Sequence, residues 1–356
     1  MKIVVCPDSF KGSLSSKEVT SIISRTIKKY YPEADILEIP LADGGEGTSD
    51  VIRENIYTER VDTKAHDPLG RLIQTKYYKS ADGEKVLIES ADIIGLPLLK
   101  EEERNPLKAS SYGLGELIRE AIERGGKDIT VSLGGTATCD GGKGMMEALN
   151  SCELGNIHFT AIADVTNPLL GDNGAVKIFA PQKGAALEDI PVLEKRLEDF
   201  FESAKLKGIC KSNDAIRDGS GAAGGLGFAF QTFLKADCKR GIDFVLEKVD
   251  FKGRINKADL IITGEGKVDS QSLMGKVLNG VIETVMPHKI PIIIIAGRVN
   301  EIPALKKSGV VEIYEISNPN LSPEENMKHT TAVENLVMTT ELMLKSNIFQ
   351  QLKEKL

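Results

Sequence analysis

Acidic and glycine residues recur at the ends of five apolar, strand-like runs. The five segments are VVCPDSFKGS, IPLADGGEGTSD, VSLGGTATCDGGKG, AIADVTNPLLGDNG and LIITGEGKVDSQ. Glycines allow several backbone N–H groups to surround an anion, and carboxylates bind hard cations such as Mg²⁺ through oxygen. Because open α/β sheets bind their ligands at the carboxyl ends of parallel strands, this pattern predicts an α/β enzyme that handles phosphate.

Two of these segments hold residues suited to acid–base chemistry. The first, PDSFKGS, contains Asp8, Ser9 and Lys11. An aspartate there can accept a hydroxyl proton or bind a metal ion, and a lysine can neutralise a carboxylate or phosphate. The second contains Asp43 and Glu46, which are close in sequence. They could bind one cation together, or one could act as a base while the other binds the metal ion. The structural alternatives are a turn at Asp8 and a helix cap at Asp43.

Two later segments add acceptors and a cation. ADVTNPLLGDNGAVKIFAPQKG contributes Asp164, Asn167 and Lys183, which suit a polar substrate that carries hydroxyl groups. GEGKVDSQSLMGK contributes Glu265 and Asp269 at the end of a strong parallel strand. Turns formed by the side chain would also account for Asn167. No one of the five loops is specific alone, but together they indicate a shared chemical role.

Two glycine-rich stretches look like familiar nucleotide motifs without matching them. GSGAAGG contains G-x-G-x-x-G, but the polar segment SNDAIRD precedes it, whereas the dinucleotide fingerprint follows a strand. GGTATCDGGKG lacks the G-x-x-x-x-G-K-[ST] spacing, since Gly144 follows Lys143. Both run into helical segments whose N-terminal N–H groups favour an anion, so both are candidate phosphate cradles. The alternative is that the glycines serve turns or tight packing.

Composition excludes several classes of function. The chain has 356 residues, a net charge of −7 and no Lys/Arg cluster, which argues against a nucleic-acid partner. No apolar run approaches the ~20 residues of a membrane helix. The five cysteines are scattered without a CxxC pair, and no histidine is near another. These features predict a reduced cytoplasmic protein, argue against a zinc site or a Ser-His-Asp triad, and favour a carboxylate as catalytic base.

The order of predicted elements indicates two α/β domains. A strand, a loop and a helix capped by Ser15 and Glu18 open the chain, and a second strand follows. Near residue 58 the pattern changes to short β-prone runs with turn signals, typical of an antiparallel meander. Parallel-strand runs return near residue 258. We therefore expect one parallel α/β domain made of residues 1–60 and 255–356, with a second α/β domain, residues 61–254, inserted in it.

The long loops resemble, in the same order, those of the bacterial type I glycerate kinase family (glycerate 2-kinases). The shared motifs are PDSFKGSLS, ADGGEGT, GGTATCDGG, ADVTNPLLGDNGA, PQKGA, GSGAAGGLG and GEGKVDSQSLMGK. The resemblance implies a flavodoxin-like parallel domain formed by both chain ends, an inserted α/β domain with a mixed sheet, and an active site in the cleft between them. It also implies phosphorylation of D-glycerate by ATP and Mg²⁺, at the 2-hydroxyl, in glycerate, glyoxylate and aldarate breakdown.

For the phosphoryl transfer that this resemblance implies, we assign roles to the loops as a hypothesis. Asp8, Lys11 and Asp43 are interpreted as catalytic, with Asp8 or Asp43 as the base. Ser9, Glu46, Asn167 and Lys183 are interpreted as substrate-binding. Asp43, Asp164 or Asp269 would supply oxygen to Mg²⁺. The residues interpreted as nucleotide-binding are Gly134, Gly135, Thr136, Gly141, Gly142, Gly221, Gly224, Gly225 and Glu265. The expected partners are small molecules only, and the expected state is a monomer or homodimer.

Two departures from the family pattern keep alternatives open. Cys139 stands where an asparagine is expected, and the segment at residues 150–157 is shorter than usual. A kinase for another small hydroxy acid, such as tartronate or erythronate, is one alternative. A catalytically silent sensor of a sugar acid or nucleotide is the other.

Overall fold

The computed structural model describes residues 1–10, 12–42, 56–269, 277–300, 305 and 308–354, without the side chains of residues 348, 352 and 353. Within them the strands are β1 Lys2–Val5, β2 Asp35–Glu38, β3 Glu59–His66, β4 Leu72–Lys79, β5 Lys85–Glu89, β6 Asp128–Ser132, β7 His158–Ile162, β8 Asp237–Lys239, β9 Leu260–Thr263, β10 Lys267–Val268, β11 Ile292–Ala296, β12 Arg298–Val299 and β13 Val310–Glu315.

The α-helices alternate with these strands along most of the chain. They are α1 Ser16–Tyr30, α2 Ala91–Ile94, α3 Tyr112–Glu123, α4 Lys143–Ala148, α5 Ala175–Phe179, α6 Ile190–Leu206, α7 Ala222–Thr232, α8 Gly241–Lys248, α9 Phe251–Arg254, α10 Val277–Val285, α11 Pro323–Met327, α12 His329–Lys345 and α13 Asn347–Glu354. Short 3₁₀ turns occur at Leu96–Leu98, Glu101–Glu103, Pro181–Lys183, Leu187–Asp189, Ser212–Ile216 and Met286–His288.

The chain divides into two compact units. Unit 1 is Met1–Ile52 with Gly241–Leu356, and unit 2 is Arg53–Arg240. This division places α8 and α9 in unit 1, whereas the predicted boundary at residue 255 assigns them to the inserted domain. In both descriptions the two ends of the chain form one unit.

Unit 1 is built on a five-stranded sheet in the order β13-β11-β9-β1-β2, with every pairing parallel. The strands β1, β9 and β11 read KIVV, LIIT and IIIIA because a parallel sheet covered by helices buries both faces of its central strands. The side chains of α1 and α12 complete this core, for example Val19, Ile23 and Leu336. The strand order is that of the flavodoxin-like fold. From β1 the chain adds β2 on one side of the sheet and then β9, β11 and β13 on the other, so the switch point lies between β1 and β9.

Unit 2 is built on a six-stranded mixed sheet in the order β3-β4-β5-β6-β7-β8. The pairs β3–β4 and β4–β5 are antiparallel, as the turn signals of the sequence predict, and β5 to β8 are parallel. The core lies under β5, β6 and β7 and includes Ile88, Val131 and Phe159. The predicted fold class, α/β with one parallel sheet and one mixed sheet, is confirmed.

The capping box predicted at Ser15 is present, and a second one occurs at Ser322. Ser15 caps α1: its Oγ accepts a hydrogen bond from the N–H of Glu18 at 3.3 Å, and Glu18 Oε2 accepts one from the N–H of Ser15 at 2.9 Å. Ser322 and Glu325 form the same reciprocal pair at α11. The helix there ends after one turn, because Lys328 is extended and α12 begins at the next residue. Capping fixes where these helices start, but not how long they continue.

The glycines of GSGAAGG allow two loops of unit 2 to approach each other through their backbones. Ala223, Gly224 and Gly225 have φ of 52°, 70° and 92°, so α7 is helical only after them. A Cβ added at Gly224 would lie 2.0 Å from the carbonyl oxygen of Thr138. Close packing, one of the two readings left open by the sequence, therefore accounts for this glycine.

We expect Gly224→Ala to destabilise unit 2 more than Gly208→Ala does. Both glycines have φ of +70°, but a Cβ at Gly208 would meet no atom within 4 Å. Gly208→Ala should therefore lower the free energy of unfolding by about 1 kcal/mol, the cost of the left-handed backbone alone. Gly224→Ala should lower it by about 3 kcal/mol or more, because backbone must also move. Urea unfolding measures both, and equal losses would contradict the packing argument.

Candidate functional site

A cavity of about 790 Å³ opens in unit 1 where the strands of the parallel sheet end. The loops after β1 and β9 form one wall and contribute Asp8, Ser9, Glu265 and Lys267. These two loops flank the point at which the strand order reverses, where α/β sheets of this kind bind ligands. The structure thus brings together three residues that the sequence assigned to catalysis, substrate and nucleotide: Asp8, Ser9 and Glu265.

Backbone hydrogen bonds hold the loop after β1 against the loop after β9. The N–H of Asp8 donates to the carbonyl of Gly264 at 2.8 Å, and Thr263 Oγ1 donates to the carbonyl of Cys6 at 2.9 Å. The carboxylate of Asp8 accepts from the N–H of Ser9 at 2.6 Å. Burial raises the pKa of the Cys6 thiol to about 12, so this cysteine is an inert core residue.

Two cations lie side by side at the rim of this cavity. Lys267 in β10 and Arg298 in β12 are register partners, and both line the cavity. Lys267 Nζ is 2.9 Å from Asp269 Oδ2, so the predicted metal ligand Asp269 is engaged in an ion pair. Arg298 has no carboxylate within ion-pair distance among the residues that the structure describes. This end of the cavity therefore suits an anionic group.

In unit 2, Asp140 organises the loop that joins β6 to α4. Its Oδ2 accepts from the N–H and Oγ of Ser111, both at 2.8 Å, and from the N–H of Gly144 at 3.2 Å. Its Oδ1 accepts from the N–H of Gly142 at 3.0 Å. Asp140 is absent from the residues interpreted as functional from the sequence, although an aspartate before two glycines is a turn signal that could have found it.

The amides of this loop fall into two groups. The N–H groups of Gly141 and Gly142 donate to the carbonyl of Gly224 and to Asp140, so protein acceptors already bind them. The N–H groups of Gly134 and Gly135 have no acceptor in the described part of the chain, and both glycines are exposed. The candidate anion contact of this loop is therefore its first part, residues 134–136.

The glycine loop at residues 219–225 is also held by contacts with other protein groups. The N–H of Gly221 donates to the carbonyl of Asn167 at 2.9 Å, and a Cβ at Gly225 would lie 2.8 Å from Gly141 Cα. The side chain of Asn167 donates to the carbonyl of Asn173 at 2.9 Å and so closes the loop after β7. Asp164 is exposed at the start of that loop.

Lys183 is a buried cation whose ammonium donates to a hydroxyl and a carbonyl group. Its side chain is only 4% exposed, and Nζ donates to Thr136 Oγ1 at 3.1 Å and to the carbonyl of Thr138 at 2.8 Å. No carboxylate within the described residues forms an ion pair with it. Burial lowers the pKa of Lys183, because the surrounding protein solvates an ammonium less well than water does. The lysine therefore favours an anion beside residues 134–138.

Cys139 follows Thr138, whose carbonyl accepts from Lys183. The Cys139 side chain is 1% exposed and belongs to an apolar cluster with Leu197 and Phe228, and burial raises the pKa of its thiol. The side chain at position 139 is thus a core residue of unit 2.

Three of the predicted site residues, Lys11, Asp43 and Glu46, lie outside the described residues. Among the residues that are described, no group of three or more His, Cys, Asp or Glu side chains is arranged to hold a metal ion. Mg²⁺ commonly uses only one or two carboxylates together with substrate phosphates and water. The exposed carboxylate of Asp164 and the cavity-lining Asp8 have the oxygen chemistry that such a site needs.

Comparison with known proteins gives the family. A profile described as the Glycerate kinase family matches residues 3–154 and 150–346. The glycerate kinase of Bacillus subtilis (strain 168) is 36% identical over 359 residues, covering 92% of this chain and 94% of the relative. The glycerate 2-kinase of Escherichia coli (strain K12) is 36% identical over 346 residues, covering 89% and 90%. The chain belongs to the glycerate kinase family.

A solved structure supports the same assignment. The crystal structure of a Salmonella typhimurium LT2 protein that carries the provisional description glycerate kinase 2 matches with a TM-score of 0.85 and 34% identity, covering all of both chains. The resemblance drawn from the loops is confirmed, and the chain is an enzyme of the phosphotransferase class. The two matched ranges overlap at residues 150–154, which lie in the segment expected from the sequence to be shorter than in the family. No helix in the described ranges is long and apolar enough to span a membrane.

We expect Lys183→Met to lower glycerate kinase turnover by about 100-fold or more while changing the free energy of unfolding by no more than about 2 kcal/mol. The substitution removes a desolvated charge, which offsets the loss of two hydrogen bonds. Steady-state kinetics and urea unfolding check the two parts.

The control is Lys177→Met, because Lys177 is exposed in α5 and forms an ion pair with the exposed Asp172. Its turnover should match that of the parent enzyme.

The stability of the protein should depend on pH through Lys183. The pKa of Lys183 is lowered on folding, so the unfolded chain holds that proton more tightly than the folded chain does. The free energy of unfolding should therefore rise as the pH is raised toward 10.5, the ordinary pKa of lysine. Lys183→Met should lack this rise, and a melting temperature with the same pH dependence in both proteins would contradict the assignment.

Proposed function

We propose that the chain transfers the γ-phosphoryl group of ATP to the 2-hydroxyl of D-glycerate, giving 2-phosphoglycerate and ADP. The observation that supports this most strongly is the similarity to a protein named glycerate 2-kinase over 89% of the chain. The pathway would be glycerate, glyoxylate or aldarate breakdown. The cysteines are all free thiols in the structure, which fits a reducing cytoplasm.

Phosphoryl transfer requires positioned reactants, neutralised charge and a group that accepts the hydroxyl proton. We assign the last role to Asp8, because its carboxylate lines the cavity of unit 1 and is held by the N–H of Ser9. Asp43 is the second candidate. The proton of the 2-hydroxyl would move to the carboxylate oxygen as the hydroxyl attacks phosphorus.

The cations of the site would neutralise the charge of the reactants. Lys183 is proposed to bind the glycerate carboxylate or the transferred phosphate, with the N–H groups of Gly134 and Gly135 beside it. Lys11 would share this work, and Ser9, Glu46 and Asn167 would orient glycerate. Mg²⁺, held by Asp43 or Asp164, would offset the negative charge of the phosphates. Asp269 serves this purpose only if its ion pair with Lys267 opens.

A coupled assay of ADP release over a panel of hydroxy acids tests this proposal. The panel contains D-glycerate, L-glycerate, tartronate and erythronate, each with ATP and Mg²⁺, and NMR identifies the phosphorylated carbon. We expect D-glycerate to give the highest kcat/KM and 2-phosphoglycerate as product.

The shortened segment at residues 150–157 is the specific reason to include the other acids. Preference for one of them would replace D-glycerate as the substrate. Binding of nucleotide without ADP release for any acid would identify a silent sensor and overturn the proposal.

We expect Asp8→Asn to lower kcat by about 10²–10⁴-fold, the usual contribution of a general base, with little change in KM for ATP. The amide keeps the shape of the side chain but cannot take a proton. The control is Asp35→Asn, because Asp35 is exposed at the start of β2, the opposite end of the same sheet. Near-parental turnover in Asp8→Asn would leave Asp43 as the base, which Asp43→Asn would then test.

A further inference from the structure

Another wall of the unit 1 cavity comes from a segment outside the acidic and glycine-containing loops. This segment, residues 316–327, follows β13 and passes through α11 to the start of α12. Its apolar side chains line the cavity together with Phe10 and Ala332 from neighbouring elements. They are Ile316, Pro319, Leu321, Pro323 and Met327. The same segment adds the polar Ser317, Asn318 and Asn326 to the lining, whereas the charged groups Asp8, Lys267 and Arg298 come from other segments.

We propose that this apolar wall binds the adenine base of ATP, so that the cavity of unit 1 is the nucleoside site of the enzyme. This inference rests on the proposed function in taking ATP as the phosphoryl donor. It assigns to residues 316–327 a role in nucleotide binding that is separate from the glycine loops of unit 2.

The size and polarity of the cavity favour a nucleoside over the acid substrate. Its volume of about 790 Å³ lies in the range of about 300–1,000 Å³ typical of sites for drug-sized ligands. Glycerate has three carbons, each bearing a hydroxyl or carboxylate oxygen, so it has no apolar face to place on this wall. A purine has two apolar faces, and burying them against Leu321 and Met327 gains hydrophobic free energy.

The polar groups of the cavity fit the remainder of a nucleotide. The carboxylates of Glu265 and Glu315 can accept hydrogen bonds from ribose hydroxyls, as acidic residues do in other nucleotide sites of α/β sheets. Glu315 Oε2 already accepts from the N–H of Val299 at 2.9 Å, which fixes its position. Arg298, with no carboxylate partner in the described ranges, provides positive charge for the first phosphate.

The apolar wall is held in place before any ligand binds. Asn326 Nδ2 donates to the carbonyls of Asn318, Leu321 and Ser322 at 3.0, 3.2 and 3.1 Å, and Oδ1 accepts from the N–H of Asn318 at 2.8 Å. Ser317 Oγ donates to the carbonyl of Gly297 at 2.5 Å. A wall fixed by these bonds loses little conformational entropy on binding, which favours affinity for a rigid aromatic base.

Two pairs of matched variants test the proposal. Leu321→Glu and Met327→Glu place a carboxylate in the wall, and Leu342→Glu and Met338→Glu make the same changes on the exposed face of α12, outside the cavity. Isothermal titration calorimetry with ADP alone measures binding without turnover. We expect the two wall variants to raise the Kd of ADP by about tenfold or more, because a carboxylate would have to be desolvated against the base. The two α12 variants should bind ADP like the parent protein.

The outcomes separate this inference from the proposed function. Unchanged ADP affinity in both wall variants, or a loss of glycerate affinity in place of ADP affinity, overturns the nucleoside site whether or not glycerate is phosphorylated. Loss of ADP affinity in the wall variants supports the site even if the parent protein releases no ADP with glycerate, in which case only the proposed function fails. Met327 is 49% exposed, so its variant should fold even if Leu321→Glu does not.

Discussion

Strands β1, β9 and β11 of unit 1 and strands β6 and β7 of unit 2 are buried on both faces, and this constraint determines where polar groups can lie. In β9 and β11 all residues are buried, and in β1, β6 and β7 all but the terminal residues are. A polar or charged side chain within such a strand would lose its hydration without a partner. Charged groups therefore stand where the strands end, and the loops at these ends carry Asp8, Glu265 and the glycine segment of unit 2. The repeated pattern of apolar run and acidic, glycine-containing loop follows from this requirement.

Glycine serves two purposes in those loops, and the structure separates them. At Gly224 and Gly225 the absence of a side chain lets the backbone of one loop lie directly on the backbone of the other. At Gly134 and Gly135 the backbone is exposed and its N–H groups have no acceptor in the described ranges. The two glycine loops are joined by one backbone hydrogen bond, because the N–H of Gly141 donates to the carbonyl of Gly224.

Charge is distributed unevenly over the two units. In unit 2 the buried ammonium of Lys183 lies against hydroxyl and carbonyl groups. Unit 1 lines its cavity with carboxylates and the Lys267–Arg298 pair as well as with apolar groups. A buried cation that lacks a counter-ion costs free energy in the folded chain, and binding of an anionic substrate offsets that cost.

The sequence by itself determined the fold class, the family and the loops that carry polar groups. It also determined the caps at Ser15 and Ser322, because these depend on residues at most three positions apart. Tertiary structure alone decided which amides remain available, since the acceptor of Gly141 lies 83 positions further along the chain. It likewise decided that Lys183 is buried beneath Thr138, that Cys139 faces the core, and that residues 316–327 form a cavity wall. Such contacts depend on how distant segments meet, and no local pattern of residue types encodes them.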